Sequence, residues 1–199
     1  MNQIEIKTVI ENLIDTFLYA GKVSIELREK GLIKEIKEDN TPVTNGDLEV
    51  NRIITEKLLN LTPEIPIVSE ETSHNKSKTD LKNFWLIDPI DGTYDYINDL
   101  DEFTLNAGLI INNRAVAGII YAPAKNRLFY SYGKGCSFEI INDKHMKLDC
   151  SKISNNKLKF VSYSNKLKPE IKKIYETINV NEFKRMKSSL KFCVIASNE

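Results

Sequence analysis

Near the N-terminus, Ile6, Ile10, Leu13, Ile14, Phe17, Leu18, Gly21 and Ile25 recur at helical spacing. That pattern predicts one long amphipathic helix over residues 3–30, with Gly31 as its stop. The segment 37–44 is polar, and Pro42 within it forbids a continuing helix. A second helix is predicted over 46–61, carrying Val50, Ile53, Ile54, Leu58 and Leu61 on one face. The period then shortens. Residues 65–68 read as a strand ending in Ser69-Glu70-Glu71, 72–83 as a polar loop, and 84–87 as a buried strand that stops at Asp88. Over 102–122 two β-rich runs flank Asn112-Asn113, and further hairpins are predicted at Gly133-Lys134-Gly135 and Asn142-Asp143. Beyond residue 157 strand and helix alternate: a strand over 158–163, a helix over 168–178, a strand over 183–186 and a helix from Leu190.

Helices, then antiparallel strands, then alternating strand and helix predict a layered α+β body leading into an α/β region. The expected division is 1–157, two helices on an antiparallel-rich sheet with the metal site, and 158–199, the start of a second α/β domain. A helix that opens at Leu190 has little length before Glu199 to cover its apolar face, so the last layer is expected to be incomplete and the protein truncated at its C-terminal end. Such an uncovered face favours association, a homodimer among the outcomes.

The 199 residues carry 28 Lys+Arg against 28 Asp+Glu, a net charge of zero that offers no global field for a nucleic-acid polymer or anionic lipid. Any phosphate must be held locally. No transmembrane run and no signal peptide are read from the sequence. Cys136, Cys150 and Cys193 form neither a disulfide framework nor a zinc pattern and suit a reducing cytoplasm. His74 and His145 stand apart, so the chemistry falls to carboxylates, hydroxyls and backbone.

Glu70, Asp88 and Asp91 each sit at or just beyond a predicted strand end, where a sheet can fix side chains beside ligand-admitting loops. Pro89 bends the backbone so that Asp88 and Asp91 can converge, and converging carboxylates repel unless a cation lies among them. Oxygen-only donors suit Mg²⁺. Gly92 permits close backbone approach, and a turn opening at Thr93 offers N–H groups to phosphate. The expected chemistry is metal-assisted phosphate ester hydrolysis by in-line water. Taken singly, each feature has a plainer reading: Asp-Pro and Asp-Gly are turn dipeptides, and Thr44 with Asp47 fits a helix capping box. An aspartyl-nucleophile phosphatase of the haloacid-dehalogenase type would need one residue, not two, between the aspartates, and an EF-hand loop does not fit the 88–101 spacing.

The stretches Thr41-Pro42-Val43-Thr44-Asn45-Gly46-Asp47, Pro66-Ile67-Val68-Ser69-Glu70-Glu71 and Trp85-Leu86-Ile87-Asp88-Pro89-Ile90-Asp91-Gly92-Thr93 resemble, in order, three signatures of the inositol monophosphatase superfamily. Within it, Glu102-Phe103-Thr104-Leu105-Asn106, Ile119-Ile120-Tyr121-Ala122-Pro123 and Ser188-Ser189-Leu190-Lys191-Phe192-Cys193 look most like the CysQ-type branch, the 3′(2′),5′-bisphosphate nucleotidases. The resemblance implies the α-β-α-β-α layered sandwich of the sugar phosphatases, Mg²⁺ dependence and inhibition by Li⁺. It implies Glu70, Asp88, Asp91 and the Ile90 carbonyl as metal ligands, with Asp47 and Thr93 as the dyad that orients and deprotonates the attacking water. Glu70, Asp91, Gly92, Thr93, Ser189 and Lys191 would meet a small phosphorylated substrate, Gly92 and Thr93 through backbone N–H groups. Two departures stand out. Lys187 occupies the position of a usual glycine, and the family's later Trp-Asp-x-Ala-type motif, whose aspartate completes the metal cluster, is absent. The expected activity is removal of the 3′-phosphate of adenosine 3′,5′-bisphosphate. The alternatives are an inositol-1-phosphate or sugar-phosphate phosphatase of the same superfamily, and an impaired protein that only binds metal or nucleotide.

Overall fold

The computed structural model of the protein describes residues 1–37, 41–71, 81–150, 158–164, 166–178 and 180–199. Most of the expected 72–83 loop, with His74, and part of the polar 37–44 segment lie outside them. Helix α1 (Gln3–Lys30) starts at Asn2, whose side chain accepts from the N–H groups of Ile4 and Glu5 while Glu5 reaches back, a reciprocal cap. It stops at Gly31, whose φ of 98° is open to glycine. Its buried stripe, with Ile10, Leu13, Phe17 and Ala20 among others, packs against α2 (Asn45–Leu61) and against the sheet.

Between these helices the polar segment does more than interrupt. Strands β1 (Lys34–Ile36) and β2 (Pro42–Thr44) pair antiparallel, a hairpin that the polar composition did not predict. Pro42 opens β2, the strand position where a missing N–H is tolerated. Thr44 ends that strand and at once caps α2.

Seven strands form the main sheet in sequence order: β3 (Ile67–Ser69), β4 (Phe84–Asp91), β5 (Thr104–Ile111), β6 (Arg114–Ala122), β7 (Arg127–Ser131), β8 (Ser137–Ile141) and β9 (Lys144–Lys147). The β3–β4 pair is parallel and the others are antiparallel. The turns at Asn112-Asn113 and Asn142-Asp143 hold all four residues at positive φ, the two-residue hairpin geometry that matches strand twist. Strand β4 corrects the sequence reading. It runs past Ile87 to Asp91, taking in Pro89, and its pairing with β5 breaks register between Asp88 and Asp91. A bulge is where a sheet tolerates proline and re-aims side chains.

Period-two alternation along β6 sorts two faces. Ile119 and Tyr121 join the core with α1 and α2, whereas Ile120 and Ala122 lie with Phe129 on the opposite face. Helix α5 (Leu190–Ala196) packs there through Leu190, Cys193 and Val194. Strands β10 (Leu158–Ser162) and β11 (Val180–Arg185) form a separate parallel pair joined through α4 (Pro169–Thr177), with Phe160, Tyr175 and Phe183 in ring contact. The result is a layered α+β architecture. Beside α5 an open groove of about 510 Å³ is lined by Ile120, Phe138, Leu148 and Phe192 and reaches Asp88 and Asp91. No helix among the described residues is long and apolar enough to cross a membrane.

Candidate active site

Three elements deliver acids to one region: the first turn of α2, the end of β3 and the bulge of β4. The cap of α2 fixes Asp47. Its Oδ2 accepts from the Thr44 N–H at 2.8 Å and from the Thr44 hydroxyl at 2.6 Å, and the side chain is buried. Burial pushes its pKa up to about 6, against the opposing pull of the Thr44 bonds. Glu70 continues the parallel pairing of β3 with β4, its N–H donating to the Ile87 carbonyl at 3.1 Å. That tie sets Glu70 beside Asp88. Burial first, then the charges of Glu70 and Asp91, pushes Asp88 up to about 8. Burial also raises Asp91, opposed by the Ser189 N–H, which donates to its Oδ2 at 2.5 Å, and by the charge of Lys191.

The region fits a hard cation in chemistry. Its donors are all oxygen, and Asp88 Oδ1 is buried with no hydrogen-bond partner. Burial and like charges drive Asp88 toward protonation, and a bound cation would relieve the repulsion. Among the described residues, however, no three His, Cys, Asp or Glu side chains already form a ready cation cage. Lys37 stands beside two of these acids. Its ammonium sits 2.8 Å from Glu71 and 3.7 Å from Glu70, so the Glu70 carboxylate is shared between a lysine and the aspartate pair.

Gly92 opens the short helix α3 (Thr93–Ile97) with φ 96°, and a Cβ there would lie 2.7 Å from the Glu102 carbonyl, so the position requires glycine. As the first residues of a helical turn, Gly92 and Thr93 have no preceding carbonyl of that turn to meet with their N–H groups. The Thr93 hydroxyl donates to the Ile90 carbonyl at 3.1 Å, and no hydrogen bond joins it to Asp47. Ser189 turns inward: its N–H meets Asp91, and its hydroxyl meets Asn106 and Thr104. Lys191 donates to the carbonyls of Lys187 and Ser188 at 3.2 and 3.1 Å, with its charge toward Asp91.

Beside this cluster lies a polar cleft of about 630 Å³ lined by Tyr163, Ser164, Lys166, Arg185, Lys187 and Lys191. Lys187 pairs with the buried carboxylate of Asp95 and lies over the Tyr94 ring, 4.6 Å from its centre. Sequence reasoning missed the Lys37–Glu71 pair, the Lys187–Asp95 pair and the place of Asn106. The lysine pairs span 34 and 92 positions of sequence, beyond the reach of any local pattern.

The inositol monophosphatase family model matches residues 5–199. The 3′(2′),5′-bisphosphate nucleotidase CysQ of Haemophilus influenzae is 38% identical over 130 residues, covering 62% of this chain and 48% of the relative. The same-named protein of Aggregatibacter actinomycetemcomitans is 34% identical over 142 residues, covering 70% and 53%. The chain thus spans about half the length of these two curated relatives. In fold it resembles the crystal structure of CysQ from Bacteroides thetaiotaomicron (TM-score 0.71, 24% identity, 94% of this chain and 76% of that one). It likewise resembles an IMPase/NADP phosphatase complexed with Mg²⁺ and phosphate (TM-score 0.74, 18% identity, 95% and 71%). With the match running from residue 5 through to residue 199, the chain belongs to the inositol monophosphatase family.

Proposed function

We propose that this site hydrolyses a phosphomonoester with Mg²⁺, and that its substrate carries a second anionic group, adenosine 3′,5′-bisphosphate being the leading choice, with loss of the 3′-phosphate. One observation carries the reading: a buried, partnerless Asp88 oxygen sits among acidic neighbours, one of which, Asp91, feels the charge of Lys191 in a cleft rich in lysine and arginine. The acids of Glu70, Asp88 and Asp91, with the Ile90 carbonyl, would hold the cation. When bound, Mg²⁺ supplies charge stabilisation at the phosphoryl oxygens and the leaving oxygen. Gly92 and Thr93 would orient the phosphate through backbone N–H groups. Asp47 is ionised above about pH 6 and would accept the water proton as the water oxygen bonds to phosphorus and the ester P–O bond breaks. The departing oxygen then takes a proton from solvent. Lys191, between the acids and the cleft, would steer the remainder of the substrate with Ser189 as its anchor in the fold.

A binding-only reading is favoured by one observation: Asp47 and Thr93 are bonded to Thr44 and Ile90 rather than to each other. The two separate in an assay of phosphate release from adenosine 3′,5′-bisphosphate and from inositol 1-phosphate, with Mg²⁺, with EDTA and with Li⁺. The expected result is release from the bisphosphate that needs Mg²⁺ and falls with Li⁺. Preferential release from inositol 1-phosphate would assign the sister substrate class, and nucleotide binding without release would establish the binding-only reading. Cytoplasmic location belongs to the same proposal, supported by three free cysteines. So does a homodimer, supported by the exposed Leu86, Phe192 and Ile195.

A further inference from the structure

Asn106 faces Asp88 across the β4–β5 pairing, where the register breaks on the way to Asp91. Its amide nitrogen donates to the Asp88 carbonyl at 3.3 Å and to the Thr104 carbonyl at 3.0 Å. Both partners can only accept, which fixes the orientation of the amide and turns Oδ1 to Ser189. The Ser189 hydroxyl donates to that oxygen at 2.5 Å. Its single proton is then committed, so Thr104 is the donor in the 2.8 Å contact between the two hydroxyls. The backbone N–H of the same Ser189 donates to Asp91 Oδ2. One amide therefore grips the backbone of Asp88 directly and, through Ser189, the carboxylate of Asp91.

The two aspartates need such a brace. They repel each other in a buried place, and the bulge between them interrupts the ladder that would hold the backbone. We propose that Asn106 is a positioning residue that sets the separation of Asp88 and Asp91, and thereby the affinity of the pair for a divalent cation. The inference rests on the reading of these aspartates as cation ligands. Partners one step behind the ligands orient them, and their loss weakens metal binding by about tenfold or more.

Mn²⁺ serves as the probe, its binding followed by electron paramagnetic resonance in the wild type and in Asn106→Ala, Ser189→Ala, Asp91→Asn and Leu128→Ala. Leu128 is a buried core residue on the face of α1 and α2, so its variant controls for lost stability. The expected result is that Asn106→Ala weakens Mn²⁺ binding by about tenfold, Ser189→Ala weakens it less, Asp91→Asn weakens it most, and Leu128→Ala leaves it unchanged. Should Asn106→Ala fail to fold, Ser189→Ala, which keeps the N–H to Asp91 while cutting the hydroxyl's links to Asn106 and Thr104, decides: wild-type affinity there overturns the brace. Loss in Asp91→Asn with wild-type affinity in Asn106→Ala overturns the inference and leaves the cation site standing. Equal loss in Leu128→Ala overturns it too. No Mn²⁺ binding by the wild type, or full binding by Asp91→Asn, removes the cation site and the inference together.

Discussion

Asp47 ties helix initiation to chemistry, because the oxygen that caps α2 belongs to the carboxylate proposed to receive the water proton. Its pKa of about 6 in the fold exceeds the 3.8 of an unfolded polypeptide, so the folded form binds this proton more tightly. The stability it confers is complete below pH 3.8 and is lost as pH rises through about 6. Above that, the buried charge costs on the order of 3 kcal/mol. Asp47→Asn keeps an acceptor for the Thr44 N–H and removes the titration. Unfolding curves at acidic and neutral pH are expected to show wild-type stability falling relative to the variant over that window. The same variant is expected to lose phosphate release by about 100-fold or more, measured under Mg²⁺ saturation.

At the scale of elements, the α2 cap makes a clean test. Thr44→Ala removes the hydroxyl that accepts from Gly46 and Asp47 and donates to Asp47, and should cost about 1–2 kcal/mol by urea denaturation, with Thr44→Ser close to wild type. This cap was legible because its partners lie three residues apart. So were the hairpin turns, where Asn112-Asn113 and Asn142-Asp143 carry their conformation in their own side chains. The β1–β2 hairpin was not. Its strands are three residues each and β1 is exposed throughout, so no apolar alternation marks them. The extension of β4 through Pro89 escaped for a related reason: proline argues locally against a strand, and only the partner strand β5 shows that the ladder resumes at Asp91.

For the whole molecule, the acids proposed for the site are legible in the sequence as types and as family motifs, and their surroundings are not. Nothing near Glu71 in sequence announces Lys37, and nothing near Asp95 announces Lys187, because the fold supplies each partner from another element. A cation held as proposed by acids from β3 and β4 would act as a ligand of the whole fold. Mg²⁺ at about 100 times its dissociation constant should stabilise the folded protein by about 2.7 kcal/mol, seen as a rise in melting temperature that Asp88→Asn abolishes. The groove beside α5 has its own consequence. Leu86 is 50% exposed and Phe192 62% exposed along its edges, an oily seam left wet on the single chain. An environment-sensitive naphthalene dye should brighten on the native protein without any denaturant, and a charge placed at Phe192 should dim it.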